Sequence, residues 1–198
     1  MKKYFPVLQY VNAPNIITTF GLILGVAACF FLIQGNLRGT IICLFSSMFM
    51  DLLDGFLAEK LNQKTKFGQY MDSLVDFFIC CIMPMLMAFV FVGRGSLIFA
   101  AAAFYCACGL WRLAYFNHVT AAENRPYFTG LPVPGSSLLV GISIWLVVYY
   151  SFPSWICGAA FFVAGLLKIS GIKLKKYGAW QKILWTVGLA FIVLVAIG

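Results

Sequence analysis

Long apolar stretches with short connections constrain this chain more than any other feature. Seven of them are long enough, or nearly so, to cross roughly 30 Å of hydrocarbon as α-helices. They occupy residues 15–34, 37–60, 67–92, 96–117, 135–152, 154–169 and 180–198. Only 10% of the residues are charged and the mean hydropathy is +0.95, whereas soluble domains carry about 25% charge. We therefore predict an all-α, polytopic membrane bundle that forms a single domain over residues 1–198.

Two segments leave alternatives open. The sixth stretch, 154–169, is short, so it either tilts, pairs closely with the seventh or does not span. The segment before Pro14 has two lysines but no long apolar core, which is not typical of a cleaved signal peptide. We predict a short amphipathic segment on the membrane surface, with disorder as the alternative.

The basic residues indicate the orientation of the helices. With the N-terminus in the cytoplasm and seven alternating spans, 12 of the 14 lysines and arginines lie on the cytoplasmic side, and only Arg38 and Arg94 lie outside. This positive-inside pattern predicts a multi-pass protein of the cytoplasmic membrane with its N-terminus inside. Topology and anionic lipid headgroups account for the net charge of +8, so we expect no nucleic acid as a partner.

All four aspartates of the chain lie within 26 consecutive positions. Asp51 and Asp54 are three residues apart and Asp72 and Asp76 are four apart, so each pair occupies one face of a helix. The two helices flank the basic connection 61–67, which the charge pattern places in the cytoplasm. Because these helices are antiparallel, both pairs lie at a similar depth, roughly 8–15 Å from the connection. We predict that four carboxylates converge just inside the cytoplasmic boundary.

Four carboxylates gathered in a membrane repel one another and are costly to desolvate. One or two divalent cations would remove the repulsion, and all-oxygen ligands favour Mg²⁺, Mn²⁺ or Ca²⁺ over zinc. Paired ions suit the clamping of phosphates and displacement at phosphorus. The alternative is that the carboxylates pair with Lys60, Lys64 and Lys66, although these lysines lie on the connection rather than at the carboxylate depth.

Small residues lie on the same helical faces. Gly55 and Ala58 are one turn nearer the connection than the first aspartate pair, and Gly68 is one turn before the second. They either clear space for a ligand or another backbone, or they pack helices together.

The pattern D-x-x-D-G-x-x-A followed by G-x-x-x-D-x-x-x-D resembles the signature of the CDP-alcohol phosphotransferase family, with every spacing kept. One position departs, because Glu59 stands where the family has arginine. Further motifs resemble those of the bacterial and archaeal phosphatidylserine synthases within the family. They are AEKLN at 58–62, MDSLVD at 71–76, WRLAYFN at 111–117 and FTGLPVPG at 128–135, and PNIIT at 14–18 fits the wider superfamily.

This resemblance implies six core transmembrane helices, here with one more and a short N-terminal interfacial segment, usually as a homodimer among membrane lipids. It implies an enzyme that transfers the phosphatidyl group of CDP-diacylglycerol to L-serine and releases CMP. Two Mg²⁺ or Mn²⁺ ions are implied, one held by Asp51, Asp54 and Asp72, the other by Asp51, Asp72 and Asp76. Asp76 would also be the general base that takes the proton of the acceptor hydroxyl. The nucleotide pocket would be lined by Gly55, Ala58 and Gly68.

Basic residues are candidates for the anionic groups of the substrates. The carboxylate of serine suits an arginine fork, for which Arg112 and Arg125 lie on the cytoplasmic side; solvated or interfacial charges are the alternative. Lys60 is a candidate for the phosphate contact of the arginine that Glu59 replaces. Otherwise the donor or acceptor differs from the family pattern, or activity is reduced.

Other functions remain as alternatives. A related enzyme could use glycerol phosphate, inositol phosphate or choline as acceptor, but the few cations near the site favour serine over phosphate-bearing acceptors. An archaeal ether-lipid donor would meet the same apolar surface. A cation transporter with an intramembrane carboxylate site is a further alternative, and the lack of acidic or basic residues deep in the other stretches argues against it.

Overall fold

The structure, a computed structural model, describes residues 4–122, 127–175 and 179–197, and within these ranges it contains seven long helices. They are α1 (Ala13–Ile33), α2 (Leu37–Lys60), α3 (Lys66–Phe91), α4 (Ser96–Ala122), α5 (Val133–Tyr149), α6 (Trp155–Ile169) and α7 (Ala179–Ile197). Helices α1 to α5 are long and apolar enough to cross a membrane, and α6 and α7 are shorter apolar helices. Each helix corresponds to one predicted stretch, which confirms a polytopic helical membrane bundle.

Capping side chains begin the first three helices. Asn12, Asn36 and Thr65 occupy the N-cap positions, and each side-chain oxygen accepts a hydrogen bond of 2.9 to 3.0 Å from the backbone N–H three residues on. Each bond satisfies one of the free N–H groups of a first turn. Pro134 lies in the first turn of α5, where the missing donor is tolerated.

Helix α3 lies at the centre of the bundle. It contacts α1, α2, α4 and α5, and its side chains Cys80, Cys81, Met83 and Met87 are fully buried. Around it, α1 packs along α2, α4 and α5 pack against α6, and α7 lies against α2 and α5. Apolar side chains on the outer faces, such as Phe20 of α1, are exposed, as contact with lipid requires.

Helix α6 is the short sixth element of the sequence. Its 15 residues extend about 22 Å, less than the roughly 30 Å of a hydrocarbon core. Among the described residues, its extensive contacts are with α4 and α5. The close partners of α6 are therefore these two helices rather than α7.

Three local features differ from the sequence expectations. A π-helical turn, Phe78–Ile82, interrupts the α-helical pattern of α3. Helix α4 continues to Ala122, beyond residue 117, where the fourth apolar stretch ends, because no glycine or proline follows Gly109 until Pro126. Arg112 therefore lies within this helix and does not close it. Strands β1 (Tyr127–Thr129) and β2 (Lys173–Lys175) form an antiparallel pair. This pair joins the connection after α4 to the connection after α6.

The segment before α1 forms a short 3₁₀ turn, Pro6–Tyr10, with every side chain exposed. The Tyr10 ring stacks on Phe67 of α3, with ring centroids 4.4 Å apart. The segment therefore lies beside the beginning of α3, where exposed apolar side chains suit a membrane surface.

Candidate active site

Three of the four aspartates come together where α2 and α3 face each other. One carboxylate oxygen from each of Asp51, Asp72 and Asp76 lies within 4.8 Å of the other two. All three side chains are half-buried. No described lysine or arginine nitrogen lies within 4.0 Å of these carboxylates. The antiparallel arrangement of α2 and α3 therefore brings together three of the four carboxylates that the spacing predicts to converge, with no described lysine or arginine in contact with them.

Asp54 has a different environment from the other three aspartates. Its side chain is only 5% exposed, and its carboxylate accepts a hydrogen bond from the hydroxyl of Thr18 on α1. Its oxygens do not belong to the group of described ligand atoms within 4.8 Å of one another. Helix α1 thus contributes a polar contact through the 14–18 motif. Sequence analysis identified this motif but assigned no role to Thr18.

The three clustered carboxylates fit a hard divalent cation. Negative oxygens so close together repel one another strongly outside bulk water, and Mg²⁺ and Mn²⁺ favour such carboxylate ligands. The alternative pairing with loop lysines is not observed among the described residues. Lys64 instead forms an ion pair of 3.5 Å with Glu59, and both side chains are exposed. The donor set therefore matches the metals expected from the sequence.

The two glycines near the carboxylates have opposite surroundings. A Cβ added to Gly55 would have no heavy atom of another residue within 4 Å, whereas a Cβ on Gly68 would lie 2.8 Å from Oδ1 of Asn15. Gly68 therefore permits close approach of α1, and Gly55 faces open space where a ligand fits. Ala58 is half-buried.

The basic candidates from the sequence lie in different settings. Lys60 is exposed at the end of α2. Arg112 is 7% exposed, with its guanidinium carbon 5.9 Å from the centre of the Phe116 ring. Its Nε has no hydrogen-bond partner among the described residues. Arg125 lies outside the described residues. Arg112 is therefore a buried cation within helix α4.

A hydrogen-bonded pair links two of the sequence motifs. Asn117 Nδ2 on α4 donates to Ser73 Oγ on α3 at 3.0 Å. Ser73 lies between Asp72 and Asp76, so this bond fixes α4 against the carboxylate-bearing face of α3. The motifs 71–76 and 111–117, which carry part of the resemblance, are therefore in contact.

Lys168 on α6 is the residue that sequence reasoning missed. It was grouped with the topology-setting lysines, yet its side chain is fully buried. Its ammonium lies 3.2 Å from the centre of the Tyr105 ring and donates to Cys81 Sγ at 3.3 Å. The available signal was its position inside the apolar stretch 154–169 rather than after it.

A helical membrane bundle with three clustered carboxylates on an antiparallel helix pair fits an integral membrane protein that binds a divalent cation. Residues 11–169 match the CDP-alcohol phosphatidyltransferase family, and the chain belongs to this family. It is a phosphatidyltransferase of phospholipid biosynthesis, which removes the transporter alternative. Members of the family generally depend on divalent metal ions.

Relatives of known name cover most of the chain. The chain is 29% identical over 188 residues to the CDP-diacylglycerol–serine O-phosphatidyltransferase of Helicobacter pylori, covering 92% of this chain and 78% of the relative. It is 31% identical over 179 residues to the enzyme of that name from Methanocaldococcus jannaschii, covering 89% and 77%. A CDP-diacylglycerol–glycerol-3-phosphate 3-phosphatidyltransferase of Aquifex aeolicus is 36% identical over 66 residues, 33% of this chain and 37% of the relative.

Proposed function

We propose that this chain transfers a phosphatidyl group from CDP-diacylglycerol to the hydroxyl of L-serine, giving phosphatidylserine and CMP with Mg²⁺ or Mn²⁺. The observation that carries the proposal is the convergence of Asp51, Asp72 and Asp76 within 4.8 Å beside the motifs 71–76 and 111–117. The relatives that cover most of the chain are named as serine enzymes, which supports serine as the acceptor.

Asp76 is the proposed general base. Serine's hydroxyl is a weak nucleophile at neutral pH, and a carboxylate within hydrogen-bond reach increases its reactivity by accepting the proton. The serine oxygen then forms a bond to the β-phosphorus of the CDP-lipid. The bond from that phosphorus to the oxygen of the CMP group breaks, and CMP leaves with the electron pair. Asp76 suits this role because it lies farther along α3 than Asp72, towards the buried interior of the bundle.

The metal ligands of the proposal are the aspartates of α2 and α3. Asp51, Asp72 and Asp76 supply the clustered oxygens, and Asp54 is held next to them on α2 by Thr18. Bound divalent ions supply positive charge that neutralises the pyrophosphate and the departing CMP. Without them the carboxylates would repel the anionic substrate.

The remaining binding roles follow the small and basic residues. Gly55 borders open space, where the cytidine nucleotide would lie, and Ala58 and Gly68 remain candidates for the same pocket. Exposed Lys60 would contact phosphate at the membrane surface. Arg125, beyond the described residues, stays a candidate for the acceptor.

We also propose the setting of the enzyme. The distribution of basic residues favours the cytoplasmic membrane with the N-terminus and the active site on the cytoplasmic side, where CMP and serine are soluble. The chain would function as one domain over residues 1–198 and as a homodimer, in keeping with the family resemblance.

A glycerol phosphate acceptor is the second candidate, because one relative over a third of the chain is named for glycerol-3-phosphate. An acceptor with a phosphate calls for several cations near the carboxylates. The described residues place no lysine or arginine nitrogen within 4.0 Å of them, which favours serine.

The test is an acceptor panel. Membranes containing the protein receive CDP-diacylglycerol, Mg²⁺ or Mn²⁺, and either serine, glycerol 3-phosphate, inositol phosphate or choline, and CMP release is measured with and without chelator. We expect metal-dependent CMP release with serine. CMP release with glycerol 3-phosphate but not with serine would overturn serine as the acceptor. If none of the four acceptors supports CMP release, the proposed reaction is overturned.

A further inference from the structure

Lys168 is a buried lysine, a setting that is rare for this residue type. It is fully buried in a membrane bundle, where an unpaired charge is costly and commonly marks function. Its described partners are Cys81 Sγ at 3.3 Å and the Tyr105 ring at 3.2 Å. A thiol is a weak acceptor, and the ring offers only a cation–π contact. No described carboxylate oxygen lies within 4.0 Å of the ammonium.

The surrounding backbone is built to accommodate this side chain. A Cβ on Gly109 of α4 would lie 3.1 Å from the Lys168 nitrogen, and a Cβ on Gly130 would collide with the Lys168 carbonyl. Gly130 also has a φ of +76°, which other residues rarely adopt. Leu131 N–H donates to the Leu167 carbonyl at 2.9 Å. The motif 128–135 therefore packs closely against the end of α6 that carries Lys168.

A short series of contacts connects Lys168 to the carboxylate cluster. Cys80 Sγ donates to Asp76 Oδ1 at 3.8 Å, and the Tyr105 hydroxyl donates to the Cys80 carbonyl at 2.6 Å. The Tyr105 ring lies against the Lys168 ammonium. Cys81, the polar partner of the ammonium, directly follows Cys80. Lys168 is thus separated from Asp76 by about one layer of side chains.

We infer that Lys168 recognises the carboxylate of the amino-acid acceptor and so determines acceptor specificity, an inference that rests on the proposed serine transfer. The flexible lysine chain exchanges its weak thiol contact for a charge-assisted hydrogen bond to the carboxylate. With the carboxylate held at Lys168, the hydroxyl end of the same small molecule points to Asp76. The motif 128–135, which carries part of the serine-type resemblance, contacts the backbone at Lys168 through Gly130 and Leu131.

The experiment compares two acceptors that differ only at the recognised group. L-Serinamide keeps the hydroxyl and amine of L-serine and replaces the carboxylate with an amide. For Lys168→Met, we expect the KM for serine to rise roughly 10- to 100-fold, the size of a lost charged hydrogen bond. Turnover of serinamide and the KM for CDP-diacylglycerol should stay within about twofold. Lys182→Met, which removes an exposed lysine of α7, should change none of these values.

A second variant separates recognition from folding. Lys168→Gln keeps hydrogen-bond donors and removes the charge, and should show the same rise in KM for serine while eluting as the wild-type protein does in detergent. An unchanged KM for serine in either variant, or an equal loss of activity with serine and with serinamide, overturns the inference about Lys168 and leaves the proposed function intact. A wild-type protein that releases CMP with glycerol 3-phosphate but not with serine overturns the proposed function and this inference together.

Discussion

Thr18 of α1 donates a hydrogen bond to the carboxylate of Asp54 on α2, and Asp54 is held outside the group formed by the other three aspartates. Helix α1 supplies no carboxylate, yet it positions one of the four that the family pattern requires. The first and second helices also pack along each other. The contact therefore makes α1 part of the candidate site.

Replacing Thr18 with valine should destabilise the protein. The substitution keeps the shape of the side chain and leaves the buried Asp54 carboxylate without its donor, which costs about 1–3 kcal/mol. The free energy of unfolding can be measured by titration with a denaturing detergent. Thr19→Val is the matched control, because the exposed Thr19 hydroxyl donates to the carbonyl of Asn15 in its own helix and has no other hydrogen-bond partner among the described residues. Equal losses in the free energy of unfolding for both variants would show that the hydrogen bond to Asp54 makes no specific contribution to stability.

Replacing Asp76 with asparagine should separate chemistry from binding. Loss of a general base lowers turnover by about 10²- to 10⁴-fold, while CDP-lipid binding should change little because Asp51 and Asp72 remain. Turnover is measured by CMP release and binding by titration of a non-reacting CDP-lipid. Glu59→Gln, which changes an exposed carboxylate in the last turn of α2, should affect neither. If binding falls as far as turnover, Asp76 serves mainly as a metal ligand.

Alanine at the two site glycines should give opposite outcomes. In Gly68→Ala the new methyl group meets Oδ1 of Asn15 at 2.8 Å, so the Asn15 side chain, which donates to the Tyr10 carbonyl, must shift, and the protein should unfold at a lower temperature. In Gly55→Ala the methyl group meets nothing within 4 Å, so stability should be kept or raised by up to about 1 kcal/mol. The KM for CDP-diacylglycerol should nevertheless rise, because the methyl group fills the proposed nucleotide space. An unchanged KM in Gly55→Ala would remove this glycine from the pocket.

Restoring the family arginine at position 59 should keep or raise activity. The ion pair of Glu59 with Lys64 lies at the surface, with side chains 51% and 65% exposed, and such pairs contribute about 0–1 kcal/mol. CMP release by Glu59→Arg is compared with Lys64→Met, which breaks the same ion pair without adding a cation. A collapse of activity in Glu59→Arg alone would give Glu59 a role of its own.

Much of the fold follows from the sequence because hydrophobic length is a direct signal for a membrane helix. The seven apolar stretches correspond to the seven described helices. The spacing of the aspartates on an antiparallel hairpin predicts the convergence of four carboxylates; the structure brings Asp51, Asp72 and Asp76 within 4.8 Å and leaves Asp54 outside that group. Both inferences use helix periodicity alone, and they need no knowledge of tertiary partners.

The features that sequence analysis missed depend on contacts between distant segments. The burial of Lys168 requires α4 and α6 to meet at Gly109, and a lysine one residue before a helix end is otherwise typical of an interface. The bond from Thr18 to Asp54 and the pairing of Phe128 with Leu174 join segments far apart in the chain. Hydropathy reports the length of a helix, but not which side chain its neighbour presents.

The most direct test of the account follows the hydroxyl oxygen of serine. Serine labelled with ¹⁸O at the hydroxyl is supplied with CDP-diacylglycerol and Mg²⁺ or Mn²⁺, and the lipid and nucleotide products are analysed by mass spectrometry. We expect labelled phosphatidylserine and unlabelled CMP in equal amounts from the wild-type protein, and neither product at an appreciable rate from Asp76→Asn. The absence of labelled lipid, or label in an adduct of CMP with serine, would contradict it.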